Sequence, residues 1–359
     1  PGSTTGEGVS VSEHGVRVGL VTPLQGPAGI FGPSCEAVAA TAVRRVNRSG
    51  WLDGPMSLEV VDGGREPRAV AAEVSRLIAA GRIDAVTGWH ISAVREALAP
   101  VTVGRVPYAY TSIYEGGEHR PGVFCTGETP VRQVAPALRW MRDELGVRRW
   151  FVVGDDYVWP HRSVARTREF AHELDLELRG VAYVPLGTRD FSAVLRCIAA
   201  SDAQGVLLFL VGQDAVQFNR AFAARGLDER MVRLSPLLGE SVLLASGAEN
   251  TRGVYSSAAY FRSLATTDAL EFGQDYVAEH GPDAPPLNNA AESCYEGLMA
   301  LAALVRRARS VAVADILRSA EGAGYDGPRG AMSLRGNHVH QRVHLARADG
   351  YDFDVLATL

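Results

Sequence analysis

Short apolar runs alternate along most of the chain with stretches in which apolar residues recur at helical spacing. The run VRVGLVTP (16–23) predicts a strand, followed by a helix capped at Ser34 and stopped near Gly50. LEVVDG predicts the next strand. PRAVAAEVSRLIAAG opens on Pro67 and closes on Gly81, the residue types that suit the first turn and the end of a helix. DAVTGWHIS begins a strand that breaks at Gly88, and PYAYTS (107–112) and VFCTG (123–127) follow as strands. The pattern then restarts with a helix from about Pro130 to Leu145. Strand RWFVVG, helix 161–174, strand GVAYVP, helix FSAVLRCIAAS, strand GVLLFLVG, helix DAVQFNRAFAARG and strand MVRLSP complete the second series. After GVYSSAAYF (253–261) come helices near 267–280, 288–309 and 311–321, and an alternating C-terminal stretch with a DG turn predicts a β-hairpin.

Alternating strand and helix with apolar strands means parallel sheets covered on both faces. Two such series predict an α/β chain of two doubly wound, Rossmann-like lobes. Ligands of open α/β sheets sit outside the carboxyl ends of the strands. The positions to examine are therefore Thr22–Gly26, Gly88–Ser92, Tyr110–Tyr114, Asp155–Trp159, Gly212–Asp214 and Ser235–Glu240.

Composition narrows the chemistry. All 36 basic residues are arginine, which excludes Schiff-base and P-loop lysines. A net charge of −5 with interspersed signs gives no nucleic-acid face, and no apolar run is long enough to span a bilayer. The four cysteines are far apart in sequence and sit in apolar settings, which reads as small buried hydrophobes, with one or two long-range disulfides left open. The polar segment 1–15 reads as a disordered arm, a cloning remnant or the stalk left after removal of a signal peptide. No dinucleotide fingerprint, P-loop, HExxH or GxSxG is present. His338, His340 and His344 alternate on the terminal hairpin, where a solvated face is favoured over a metal site. Asp155 and Asp156 are adjacent in a turn and favour loop capping over a carboxylate pair. An enzyme is not expected, and neither cofactor nor metal is implied.

The strand ends offer hydroxyls and aromatics instead. Ser92, Tyr110 and Ser112 suit the carbonyl or carboxylate of a small polar ligand near helix N-termini, and Tyr157 and Trp159 can close over it and exclude water.

The same segments carry a family resemblance that covers almost the whole chain. GWHISAVREALAPV, YTSIYEGGEHRPGVFCTGETPVRQVAPALRWM and, most specifically, VGDDYVWPHRS resemble the amide- and urea-binding members of the type I periplasmic-binding-protein fold, related to the leucine/isoleucine/valine-binding proteins of ABC transporters. The resemblance implies lobe 1 from 16–128 and 256–331, lobe 2 from 129–255 and 332–359, and a three-stranded hinge. It places the family's pocket serine on Ser92, the aromatic two residues earlier on His90, the next strand's tyrosine and hydroxyl on Tyr110 and Ser112, and the turn aromatics on Tyr157 and Trp159. Glu240 falls in the acidic loop of the second lobe. His90, Trp159 and Thr111 depart from the family's usual residues and alter the pocket's shape and polarity.

The function implied is a non-enzymatic, extracytoplasmic solute-binding protein that traps an amide, urea or amino-acid-like molecule between its lobes and delivers it to an ABC permease. A cytoplasmic amide sensor acting through a regulatory protein, and more remotely an amide hydrolase, are the alternatives.

Overall fold

The computed structural model describes residues 15–359, so the reading of segment 1–15 falls almost wholly outside the described residues. Lobe 1 begins with β1 (Val16–Thr22), α1 (Gly32–Ser49), β2 (Met56–Asp62), α2 (Pro67–Ala79), β3 (Ala85–Gly88), α3 (Ser92–Thr102), β4 (Tyr108–Tyr110) and β5 (Val123–Cys125). Lobe 2 follows with α4 (Pro130–Leu145), β6 (Arg149–Asp155), α5 (Val158–Glu173), β7 (Glu177–Val184), α6 (Ser192–Ala200), β8 (Gly205–Phe209), α7 (Gln213–Ala223), β9 (Val232–Ser235), α8 (Glu240–Ser246) and β10 (Val254–Ala258). The chain then gives α9 (Thr267–His280), α10 (Asn289–Ala308), α11 (Val313–Ser319), β11 (Gly324–Gly327), β12 (Gly330–Arg335), β13 (His338–Val339), β14 (His344–Asp349) and β15 (Asp352–Thr358).

The local causes are those visible in the sequence. The Glu66 carboxylate caps α2 by accepting from Arg68 and Ala69 N–H, and Pro67 occupies the first turn. Gly50 closes α1 at φ 65°. Ser34 does not cap α1. The helix starts at Gly32, and the Ser34 hydroxyl donates to the Phe31 carbonyl. Helix α5 starts at Val158, three residues before the expected 161, so Trp159 and Pro160 lie in its first turn.

The first sheet runs β11-β12-β13-β5-β4-β3-β1-β2 and the second β15-β14-β10-β9-β8-β6-β7. In each, the strands from the βα series are parallel, with an antiparallel rim from the C-terminal segment. The C-terminal stretch is thus two antiparallel pairs rather than one hairpin. β12 and β13 stay with the first sheet, so the last passage between sheets follows Val339 and not residue 332.

The passages between sheets are tied to each other. Glu128 accepts from Ala259 N–H at 2.7 Å, and the Gln341 amide donates to the Thr126 carbonyl at 3.0 Å. Helix α10, buried from Ala290 to Val305, packs on α1 and forms the spine of lobe 1. Cys35, Cys125 and Cys294 are buried thiols, but Cys197 is exposed, and all four are free.

Candidate functional site

The first wall of the site is built on the ends of β3 and β4. Gly88 ends β3 at φ 130°, where a Cβ would stand 2.2 Å from the Val21 carbonyl oxygen, so only glycine allows the turn. The turn delivers Ser92 as the first residue of α3, with Ile91 rather than Ser92 at the cap. The Ser92 hydroxyl is therefore not spent on capping. It donates to Glu115 Oε2 at 2.8 Å and lies 3.4 Å from the Tyr110 hydroxyl.

Three of the expected residues converge on one peptide group. The Tyr110 hydroxyl donates to the His90 carbonyl at 3.0 Å, and the Ser112 hydroxyl donates to the same oxygen at 2.7 Å. His90 N–H in turn donates to Ser112 Oγ at 3.1 Å. The His90 ring is fully buried, with Nδ1 2.9 Å from the Val21 carbonyl and Nε2 2.6 Å from the Tyr108 hydroxyl. A carbonyl can only accept, so Nδ1 carries the proton and Nε2 accepts from Tyr108. Burial lowers the His90 pKa to about 4, and nearby Arg95 pushes the same way, so the imidazole is neutral. Both ring nitrogens are satisfied inside lobe 1. The structure thus gives His90 the role of a strut in this wall, where a ligand-facing ring was expected.

Behind Ser92 lies a buried ion network. Arg95 Nη2 donates to Glu115 Oε1 at 2.8 Å and to Glu96 at 2.6 Å, with Glu118 3.6 Å from its Nε. Its guanidinium carbon stands 4.9 Å from the Tyr114 ring centroid and 5.4 Å from that of Tyr110. From the other lobe, Arg162 of α5 reaches Glu115 at 3.2 Å and Glu96 at 3.5 Å. The lobes also touch at their rims, where a Cβ on Gly212 would stand 2.3 Å from the Pro27 carbonyl oxygen. A cavity of about 560 Å³ beside the Glu115–Arg162 bridge is lined from both lobes, by Tyr114, Thr129, Arg166 and His338 among others.

The second wall starts at the end of β6. Asp155 is fully buried, and its Oδ2 accepts from Val211 N–H at 2.7 Å. Asp214, in the first turn of α7, accepts from Gly187 N–H at 2.7 Å. Burial, and then the neighbouring Asp214 carboxylate, raise the Asp155 pKa to about 9, so the two acids share a proton. Asp155 does form a carboxylate pair, but with Asp214 across the sheet rather than with Asp156. Asp156 is exposed and pairs with His161 at 2.6 Å.

Tyr157, on the second wall, is half-buried and lies near enough to the first to feel Tyr110 and Glu115. Its hydroxyl pKa is raised first by burial and then by the charges of Asp155, Tyr110, Glu115 and Asp214. Trp159 lies behind it, 3 % exposed, with its ring edge-on to Phe209 at 5.5 Å and 6.3 Å from Tyr157. Its indole belongs to the apolar core of lobe 2. Glu240 takes no part in these contacts. It starts α8, accepts from Arg262 N–H at 2.7 Å, and is raised to about 7 by burial.

The structure thus brings Ser92, Tyr110, Ser112 and the His90 peptide together and sets Tyr157 opposite. It adds Glu115, Arg95 and Arg162, which sequence reasoning did not single out, and gives a part to Asp214, which ended one of the stretches marked for examination. Arg95 had a faint signal, one helical turn after Ser92 on the same face. Arg162 had none, because its partners lie 47 and 66 residues away in the other lobe. The C-terminal histidines are separately engaged, His338 with Tyr114, His340 with Arg132 and His344 with Thr358. Among the described residues no three His, Cys, Asp or Glu side chains are placed to hold a metal, and no helix is long and apolar enough to cross a membrane.

Known proteins share this architecture. The "Leu/Ile/Val-binding protein homolog 6" of Brucella melitensis is 24 % identical over 349 residues, 93 % of this chain and 88 % of that protein. A solute-binding protein of an ABC transporter from Rhodopseudomonas palustris HaA2, solved in complex with p-hydroxybenzoic acid, superposes with a TM-score of 0.85 at 18 % identity, covering 96 % of both chains. The branched-chain amino acid transporter substrate-binding protein LivJ of Streptococcus pneumoniae, in complex with isoleucine, superposes with a TM-score of 0.83 at 15 % identity, covering 96 % of this chain and 99 % of the other. The profile of the family described as "Periplasmic binding protein" matches residues 15–352. With two lobes meeting at the carboxyl ends of their parallel strands, the chain belongs to the periplasmic binding protein family, a family of binding proteins rather than enzymes.

Proposed function

We propose that the chain traps a small polar solute, an amide, urea or amino-acid-like molecule, between its lobes outside the membrane and presents the closed form to an ABC permease. The observation that carries this reading is the reach of lobe 2 to the pocket wall of lobe 1: Arg162 of α5 meets Glu115 at 3.2 Å, and Glu115 holds the Ser92 hydroxyl at 2.8 Å. Ser92, Tyr110 and Tyr157 are the side chains assigned to the solute. His90 and Ser112 hold the first wall in place, Trp159 backs the second, and Glu240 anchors the passage after β10. Both sets of contacts exist only when the lobes meet, so a bound solute selects the closed form. The p-hydroxybenzoic acid and isoleucine bound by the two structural neighbours are small polar molecules of comparable size.

The test pairs calorimetry against amides, urea and amino acids with an interlobe distance measured between labels on α2 and α6. A solute should shorten the distance, and Ser92→Ala and Tyr157→Ala should each weaken it at least tenfold. Binding without closure, or affinity indifferent to both substitutions, would remove the reading.

A further inference from the structure

Glu115 is not among the expected pocket residues, yet it bonds the pocket serine and ties the two lobes together. Its Oε2 accepts the Ser92 hydroxyl at 2.8 Å, the group that a solute carbonyl or carboxylate would otherwise take. Its Oε1 holds Arg95 at 2.8 Å and Arg162 at 3.2 Å. The protein therefore places a carboxylate of its own on the serine and engages both nearby guanidinium groups with it. A solute carboxylate entering between Ser92 and Tyr157 meets Glu115 and two cations that are already bound. The opposite wall adds the Asp155–Asp214 pair, two acids with one proton between them. Like charges repel, and the repulsion is strong where water is excluded.

A solute with N–H groups meets the reverse situation. Glu115 is an acceptor, and the hydroxyls of Ser92, Tyr110 and Tyr157 each offer oxygen lone pairs. The Tyr110 and Tyr157 rings supply apolar faces for whatever carries those N–H groups.

We propose that Glu115 is the specificity-determining residue of the cleft. It restricts the solute to one that presents N–H donors and no carboxylate: a primary amide, a urea or an amine. This rests on the reading of the cleft as the solute site, and it separates the chain from those structural neighbours whose bound molecules are acids.

Matched pairs test it directly on the wild-type chain at pH 7. Benzamide is compared with benzoate, isobutyramide with isobutyrate, and leucinamide with leucine, with urea added, by calorimetry. The expected result is binding of at least one amide or amine about tenfold or more tighter than its acid. Glu115→Gln keeps a side chain that can bond Ser92 while removing the charge, and it should narrow that ratio to within about threefold. Should Glu115→Gln fail a thermal melt, Arg162→Gln takes its place; it strips one cation from Glu115 and should widen the ratio.

An acid bound as tightly as its amide by the wild type, or a ratio unmoved by the folded variant, overturns the charge rule and leaves the trap standing. Binding of no member of any pair, acid or amide, takes down the trap reading and this inference together.

Discussion

The two walls of the cleft are built by opposite means. On lobe 1 the groups are locked to each other: the His90 peptide is gripped by Tyr110 and Ser112, and Ser92 is held by Glu115, whose charge Arg95 balances. On lobe 2 a half-buried tyrosine stands in front of a buried tryptophan, over two acids that share a proton. The first wall is a preorganised polar anchor. The second is a ring on an apolar backing, free to meet a solute that arrives when the lobes close. Each wall also buries a titratable group in its neutral form, a histidine on one side and an aspartic acid on the other. The two walls should therefore respond oppositely to pH.

Removing the cation of the first wall should have the largest effect. Arg95→Ala leaves Glu115 buried without its nearest cation and takes one of two cations from Glu118, and should cost about 4 kcal/mol of stability, because stripping one member from a buried ion pair strands the other charge. A melt within a degree or two of wild type would mean that the anchor is not held by this network. The matching change on lobe 2 is Trp159→Ala. It opens a cavity against Phe209 and should cost about 3 kcal/mol. If it instead weakens solute binding and leaves the melt unchanged, Trp159 is a cleft residue and the division between jaw and backing is wrong.

The pH response comes next. His90 titrates at about 4 in the folded chain and at 6.5 ordinarily, so the unfolded chain takes up a proton that the native one refuses. Its contribution is complete above 6.5 and is lost as pH falls toward 4. Asp155 titrates at about 9 against an ordinary 3.8, so the native chain keeps a proton that the unfolded one releases. Its contribution is complete below 3.8 and is lost as pH rises toward 9. Denaturant titrations at pH 5, 7 and 9 should place the alkaline loss, on the order of 2 kcal/mol, on Asp155 and the acid loss on His90. Asp155→Asn, which can donate permanently to Asp214, should flatten the alkaline arm alone, and His90→Gln the acid arm alone. An alkaline arm that survives Asp155→Asn would show that another group, with Glu240 the next candidate, carries it.

The walls were unequally legible in the sequence, and the reason is geometric. Strands and helices announced themselves through apolar spacing, Pro67, Gly50 and Gly88, and the rule that ligands gather past strand ends led to Ser92, Tyr110 and Tyr157. Side-chain direction just after a strand was not legible. Gly88 at φ 130° resets the alternation, so nothing local says that the His90 ring turns inward while its carbonyl serves the wall. The packing of Trp159 behind Tyr157 was hidden for a related reason. Starting α5 at Val158 instead of 161 rotates its side chain into the core. The bridge from Arg162 to Glu115 and the pairing of Asp155 with Asp214 join segments far apart in the chain, which only the closed fold brings together. The membership of β12 and β13 in the first sheet was lost in the same way, because one continuous C-terminal stretch supplies strands to both sheets.

The smallest expected effect separates two tyrosines that the sequence treats alike. The Tyr110 hydroxyl is used internally, donating to the His90 carbonyl at 3.0 Å. The Tyr157 hydroxyl makes no hydrogen bond to any of the described residues. Tyr110→Phe leaves the His90 carbonyl with one donor fewer, although Ser112 still serves it at 2.7 Å, so the loss should be about 1 kcal/mol of stability. Tyr157→Phe breaks nothing in the free protein. Its cost of about 1 kcal/mol, roughly fivefold in Kd, should appear only when solute is present. Paired melts and calorimetry on the two variants read the difference: a lower melt for Tyr110→Phe, whose hydroxyl serves the first wall as well as the solute, and an unchanged melt with a weaker Kd for Tyr157→Phe. The reverse pattern, a lower melt for Tyr157→Phe and an unchanged one for Tyr110→Phe, would exchange the two tyrosines' parts, tying the lobe 2 hydroxyl into its own structure and leaving the lobe 1 hydroxyl to the solute alone.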